Sequence, residues 1–178
     1  MDFGIKLIPS GSDFVENNWG GFYTGGNYLV YGEKKSGKTL FALNFIKSAL
    51  QEKKRCIYFT DSIPKKIIIQ AASIGFDAEK YIKNESLILF KTSKSSDGDE
   101  FLSQYYKNIS HLVKKFNAER VVVDELTSYL NFINMRQLSS SVDEMIENLS
   151  GKNVTSLFLS KEPKGEEAEL LLDLLKER

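Results

Sequence analysis

The octet Gly32-Glu33-Lys34-Lys35-Ser36-Gly37-Lys38-Thr39 fits the pattern G-x-x-x-x-G-K-[ST], and that spacing dictates what must surround it. Such a loop works only where it leaves a strand and enters a helix. Its backbone N–H groups then turn inward around an anion, at the positive end of the helix. Both flanks comply. Asn27–Tyr31 is an apolar run, and across Lys38–Gln51 the residues Leu40, Phe41, Leu43, Phe45, Ile46 and Leu50 fall at helical spacings. In this pattern the lysine, Lys38, reaches the outer phosphates of a nucleoside triphosphate, and the Thr39 hydroxyl ligates Mg²⁺. The expected ligands are ATP and Mg²⁺, with nucleotide contacts from Gly32, Glu33, Lys34, Lys35, Ser36, Gly37, Lys38, Thr39 and Leu40. Many such loops carry a third glycine where Lys35 stands; Lys34 and Lys35 are expected to face solvent.

Four further apolar runs follow: Arg55–Thr60, Ser86–Lys91, Arg120–Asp124 and Val154–Ser160. Most lack polar alternation, as strands buried on both faces do. Between them lie the helical patterns Pro64–Ile74, which opens on a proline suited to a first turn, Asp99–Phe116 and Ser139–Leu149. Strands alternating with helices give an α/β fold with a parallel sheet and right-handed crossovers. Thr92–Gly98 reads as a loop, and Lys161–Arg178 as a C-terminal loop followed by a helix from Glu166. With 178 residues and no linker-like stretch, residues 1–178 are expected to form a single domain.

A phosphate loop needs a carboxylate at the tip of a second buried strand to hold the Mg²⁺ shell. Arg120-Val121-Val122-Val123-Asp124 ends in such an acid, so Thr39 and Asp124 are the expected metal ligands. The next residue, Glu125, is a candidate for polarising the attacking water.

Bulk composition narrows the classes that remain. Lys plus Arg equals Asp plus Glu at 24 each, so no overall charge draws the chain to nucleic acid or to an anionic membrane. A single cysteine, Cys56, excludes an internal disulfide and a cysteine-based zinc site, and a single histidine, His111, excludes histidine clusters. With no apolar stretch near the ~20 residues of a membrane span and no signal-like N-terminus, a cytoplasmic location without membrane association is expected.

These residues together resemble the RecA-like ATPases, in the KaiC and RadA branch. The resemblance extends over nearly the whole chain. Ile8-Pro9-Ser10-Gly11-Ser12-Asp13-Phe14, then Gly20-Gly21 and Gly25-Gly26, is similar to that branch's lead-in, here residues 1–25, with Ser10 and Phe14 as imperfect matches. Val123-Asp124-Glu125-Leu126-Thr127-Ser128 resembles its second acidic motif. Tyr58-Phe59-Thr60-Asp61-Ser62-Ile63-Pro64 and Ser73-Ile74-Gly75-Phe76-Asp77 resemble its second strand and following helix. The resemblance implies a three-layer α/β/α sandwich whose five-stranded, mostly parallel sheet is ordered 3-2-4-5-1.

It also implies catalytic glutamates at the tip of the second strand, and these positions fall on Asp61 and Ser62. Serine is no base unaided, and aspartate is one methylene short. Asp61 and Glu125 are thus the two candidate catalytic acids, and slow conversion of ATP and water to ADP and phosphate is expected. The phosphate-loop strand is expected at a sheet edge, covered by Phe3–Ile8 or by another copy or protein. Relatives bind nucleotide between subunits with a cationic finger, for which Lys176-Glu177-Arg178 has the spacing. Two alternatives stay open: an inactive ATP-binding regulatory module, and a recombination accessory protein binding single-stranded DNA near Asn131–Ser141 and Lys161–Glu166. The second is not favoured, because those loops hold few cations and no basic–aromatic alternation.

Overall fold

The computed structural model describes residues 6–92, 98–125, 135–150 and 153–161. The chain enters through the strand β1 (Leu7–Ile8), the helix α1 (Asp13–Trp19) and the strand β2 (Phe22–Tyr23), which pairs antiparallel with β1. Next come β3 (Asn27–Gly32), α2 (Lys38–Gln51), β4 (Cys56–Thr60), α3 (Pro64–Ser73) and α4 (Ala78–Lys83). The last group is β5 (Leu87–Lys91), α5 (Gly98–Phe116), β6 (Arg120–Asp124), α6 (Met135–Ser150) and β7 (Thr155–Lys161).

Five strands form one sheet in the order β3-β7-β6-β4-β5, and every pairing in it is parallel. Numbered along the chain within this sheet alone, the order is 1-5-4-2-3, which is the expected 3-2-4-5-1 seen from the other edge. Among the described residues β3 has a neighbour on one side only, so the phosphate-loop strand is an edge. The described part of Phe3–Ile8 pairs with β2 rather than with β3, so it does not cover that edge; residues 1–5 lie outside the described residues.

Side chains alternate between two cores, as a pleat requires. Cys56, Tyr58, Val122, Leu157 and Leu159 face one side, where Ala42, Leu43, Phe45, Ile46, Ala49 and Leu50 of α2 pack on them. Ile57, Phe59, Val121, Val123 and Phe158 face the other, against Ile109 and Val113 of α5 and Met145, Ile146 and Leu149 of α6. Ala42, Phe45, Ile46 and Ala49, at i, i+3, i+4 and i+7, are fully buried, which explains why α2 holds its whole length against the sheet. Pro64 occupies the first turn of α3 as expected. No helix among the described residues is long and apolar enough to cross a membrane.

Candidate functional site

All five parallel strands end on the same side of the molecule, and there the loop after β3 meets the tips of β4 and β6. The loop turns through Lys35, whose φ of 71° lies in the left-handed region. That conformation explains why glycine is common at this place and lysine is not. Gly37, at φ 92°, caps α2, and Phe41 N–H donates to its carbonyl at 3.0 Å to start the helix. Lys34 and Lys35 are exposed. Lys38 instead folds back across the loop: its ammonium donates to the carbonyls of Gly32 at 2.7 Å and Glu33 at 2.8 Å, and to Ser36 Oγ at 3.4 Å.

At the second residue of α2, the Thr39 hydroxyl donates to Asp124 Oδ2 at 3.2 Å, closing a link between residues 85 apart in sequence. The same oxygen accepts the Tyr58 hydroxyl at 2.7 Å. Tyr58 stands in the middle of β4, fully buried, and its pKa is pushed well above the ordinary value by burial and by the Asp124 charge. It therefore remains a donor. Burial raises the pKa of the Asp124 carboxyl, as do the charges of Glu125 and Asp61, against the opposing pull of the Tyr58 and Thr39 hydrogen bonds. Thus Asp61 and Glu125 both lie close enough for their charges to reach Asp124. A threonine hydroxyl beside a carboxylate is a hard oxygen pair, the protein donor set that Mg²⁺ takes when phosphates and waters supply its other ligands. The residues fit that ion.

The two candidate acids sit differently. Asp61 follows β4 directly, and its backbone N–H donates to the Asp124 carbonyl at 3.3 Å, which pins the strand tip beside β6. Ser62 N–H is held by Thr60 Oγ1 at 3.1 Å. Glu125 turns toward β7, where its Oε1 accepts the backbone N–H of Lys161 at 2.7 Å. Residues 126–134 and 162–178, with Lys176-Glu177-Arg178 among them, lie outside the described residues, so the finger is not placed; of the two loops considered for DNA, Asn131–Ser141 is described from Met135 on, where it is the first part of α6 rather than a loop, and Lys161–Glu166 only at Lys161. Sequence reasoning missed Tyr58 as a site residue. Its signal was a hydroxyl in the middle of an otherwise apolar buried strand, which must find a partner.

The family model described as "ATPase: KaiC" matches residues 5–175. A circadian clock oscillator protein KaiC from Prochlorococcus marinus is 27% identical over 167 residues, covering 88% of this chain and 33% of that protein. The corresponding protein of Thermostichus vulcanus is 31% identical over 133 residues, 70% of this chain and 26% of its own length. The circadian clock protein KaiC2 of a Synechocystis species is 27% identical over 158 residues, 87% of this chain and 27% of its own length. The chain thus spans a third or less of the length of these relatives.

Proposed function

Because the chain belongs to the KaiC family of ATPases, for which nucleotide binding and ATPase-type chemistry are the common ground, we propose that it binds Mg–ATP at the loop Gly32–Thr39 and hydrolyses it slowly. What carries the reading is the 3.2 Å contact between Thr39 and Asp124, two hard oxygen ligands meeting beside the loop. In this reading the loop amides and the N-terminus of α2 cradle the phosphates. Lys38 exchanges its two carbonyl partners for phosphate oxygens. When bound, the metal would neutralise charge on the outer phosphates, and Thr39 and Asp124 are the residues that would hold it. Asp61, at the tip of β4, is the group nearest in kind to a general base; its short side chain limits the rate, since general-base geometry tolerates only small displacements.

The test is a titration with a fluorescent ATP analogue, with Mg²⁺ and with EDTA. Lys38→Ala should abolish binding in both. Asp124→Asn should abolish the gain from Mg²⁺ and leave the metal-free affinity in place. Unchanged binding in Lys38→Ala sinks the assignment. Single-turnover hydrolysis then separates the acids: Asp61→Asn is expected to stop turnover, and Glu125→Gln to slow it by less.

A second reading, a module that holds ATP without turning it over, is favoured by two observations. Glu125 is already engaged with the Lys161 amide, and Ser62 stands where the resemblance implies an acid. No measurable single turnover in the wild-type chain would select it. In either case the one-sided strand β3 is where we propose that a second copy or another protein pairs. Gel filtration showing a strict monomer with and without ATP would remove a second copy.

A further inference from the structure

At the end of β6 opposite Asp124 stands a charged side chain with no part in the site described above. Arg120 is 2% exposed, yet its guanidinium is held from several directions. Nη1 donates to the carbonyls of Pro9 at 2.6 Å and Phe45 at 3.3 Å and to Ser48 Oγ at 3.0 Å; Nη2 lies 3.4 Å from Glu52 Oε2. The guanidinium carbon also sits 4.9 Å from the centre of the Phe45 ring. Three of these partners, Phe45, Ser48 and Glu52, belong to α2 or cap it. So α2 and β6 are joined by directed hydrogen bonds at two places: Thr39 to Asp124 at the site, and Ser48 with Phe45 to Arg120 at the far end.

The spans match. From Thr39 to Ser48 is nine residues, about 13 Å of helix. From Arg120 to Asp124 is four residues, about 13 Å of strand. The helix runs down the sheet as the strand runs up it, so equal spans fix the one against the other in register. Between the two joints the contact is apolar, made by residues such as Ala42, Ile46 and Val122. Apolar contact is non-directional, so the two polar joints are what add direction to it. The lead-in adds a third arm, because the Pro9 carbonyl shares the guanidinium and also accepts from Ser48 Oγ at 3.3 Å.

We infer that Arg120 is a positioning residue for the nucleotide site, holding α2 in register on β6 so that Thr39 and Asp124 converge on one metal ion. The inference rests on the Mg–ATP reading above. Its readout is the magnesium gain, the ratio of ATP-analogue affinity in Mg²⁺ to that in EDTA. Arg120→Met should cut this ratio by about tenfold, less than the roughly 100-fold that a 1 Å misplacement can cost reacting groups, with metal-free affinity nearly unchanged. Arg120→Lys, which keeps the charge and several donors, should recover most of it. Leu149→Ala, in the core on the other face of the sheet, supplies a comparison at similar loss of melting temperature and should leave the ratio intact.

Should Arg120→Met not fold, Ser48→Ala removes one joint at small cost and should lower the ratio about threefold, the scale of one neutral hydrogen bond. A full magnesium gain in whichever of Arg120→Met and Ser48→Ala folds, or an equal loss in Leu149→Ala, overturns the inference. If the wild-type chain itself shows no magnesium gain, the fault lies with the Mg–ATP reading and the positioning role falls with it. A wild-type gain that survives both substitutions overturns the positioning role alone.

Discussion

At Asp124 stability and the proposed metal-binding role pull in opposite directions. Burial and neighbouring acids raise the pKa of its carboxyl, so the folded chain holds that proton more tightly than the unfolded one. The neutral form is thus the stabilising one: its contribution is fully present below the unfolded pKa and is lost as pH rises through the folded value. Asp124→Asn makes a neutral group permanent and keeps an acceptor oxygen for Tyr58 and Thr39. Without nucleotide, it should melt higher than the wild type at neutral pH. That advantage should shrink as pH falls through the raised pKa, and a thermal-melt series against pH reads it. An advantage that grows toward acid would show that the carboxylate is stabilised as the anion. Lys35 is a second conflict at this scale. Its φ of 71° strains any side chain, and a β-branched one most. Lys35→Gly should melt at or slightly above the wild type, whereas Lys35→Val should lose about 1–2 kcal/mol; equal melting temperatures for the two would place the loop in a different conformation.

Among the elements, the lead-in packs against the helix that carries Lys38 and Thr39 at Gly11. A Cβ there would lie 2.3 Å from the Asn44 carbonyl oxygen, a backbone atom of α2, at a φ of 78°. Ser10 and Gly11 are fixed in place by Glu16, whose Oε1 accepts both backbone N–H groups at 2.7 and 3.1 Å and whose Oε2 accepts the Ser10 hydroxyl at 2.7 Å. Gly11→Ala should therefore cost about 2–4 kcal/mol, the range of a steric conflict that moves backbone. Gly20→Ala has the same backbone strain but meets only the Leu7 Cδ1 atom at 3.2 Å, so it should cost about 1 kcal/mol. Equal melting temperatures for the two variants would mean that the lead-in does not dock on α2. The contrast shows where sequence stops being informative. The runs Arg120–Asp124 and Lys38–Gln51 were legible to the residue because burial and helical periodicity are local signals. The helices α1 and α4, seven and six residues long, were not, since so few turns carry no periodicity. In the site, Gly32–Thr39 and Asp124 were legible because each motif carries its own geometry. Tyr58, Arg120 and the contact of Glu125 with the Lys161 amide were not, because their partners are set by tertiary packing: β4 beside β6 for Tyr58, α2 on β6 for Arg120, and β6 beside β7 for Glu125.

The two cores meet in the whole molecule at β4, whose five residues are all buried between the helical layers. Cys56 opens that strand at 1% exposure, and burial pushes its thiol up to about 12, so it is neither reachable nor ionised in the folded chain. β6 and β5 flank β4 on its two sides, so exposing Cys56 requires taking the sheet apart rather than fraying an end. Alkylation of Cys56 should accordingly report the global unfolding equilibrium when reclosing is faster than reaction. A ligand that binds only the folded chain lowers the open population by 1 + [L]/Kd, so Mg–ATP at a hundred times its Kd should slow labelling about 100-fold. Lys38→Ala should label at the same rate with and without nucleotide, which ties the protection to the loop rather than to ionic strength. Labelling of the folded wild type near the rate of a free thiol would show that β4 opens locally. In that event the two cores are not one cooperative unit, and occupancy at the strand tips does not govern the stability of the whole.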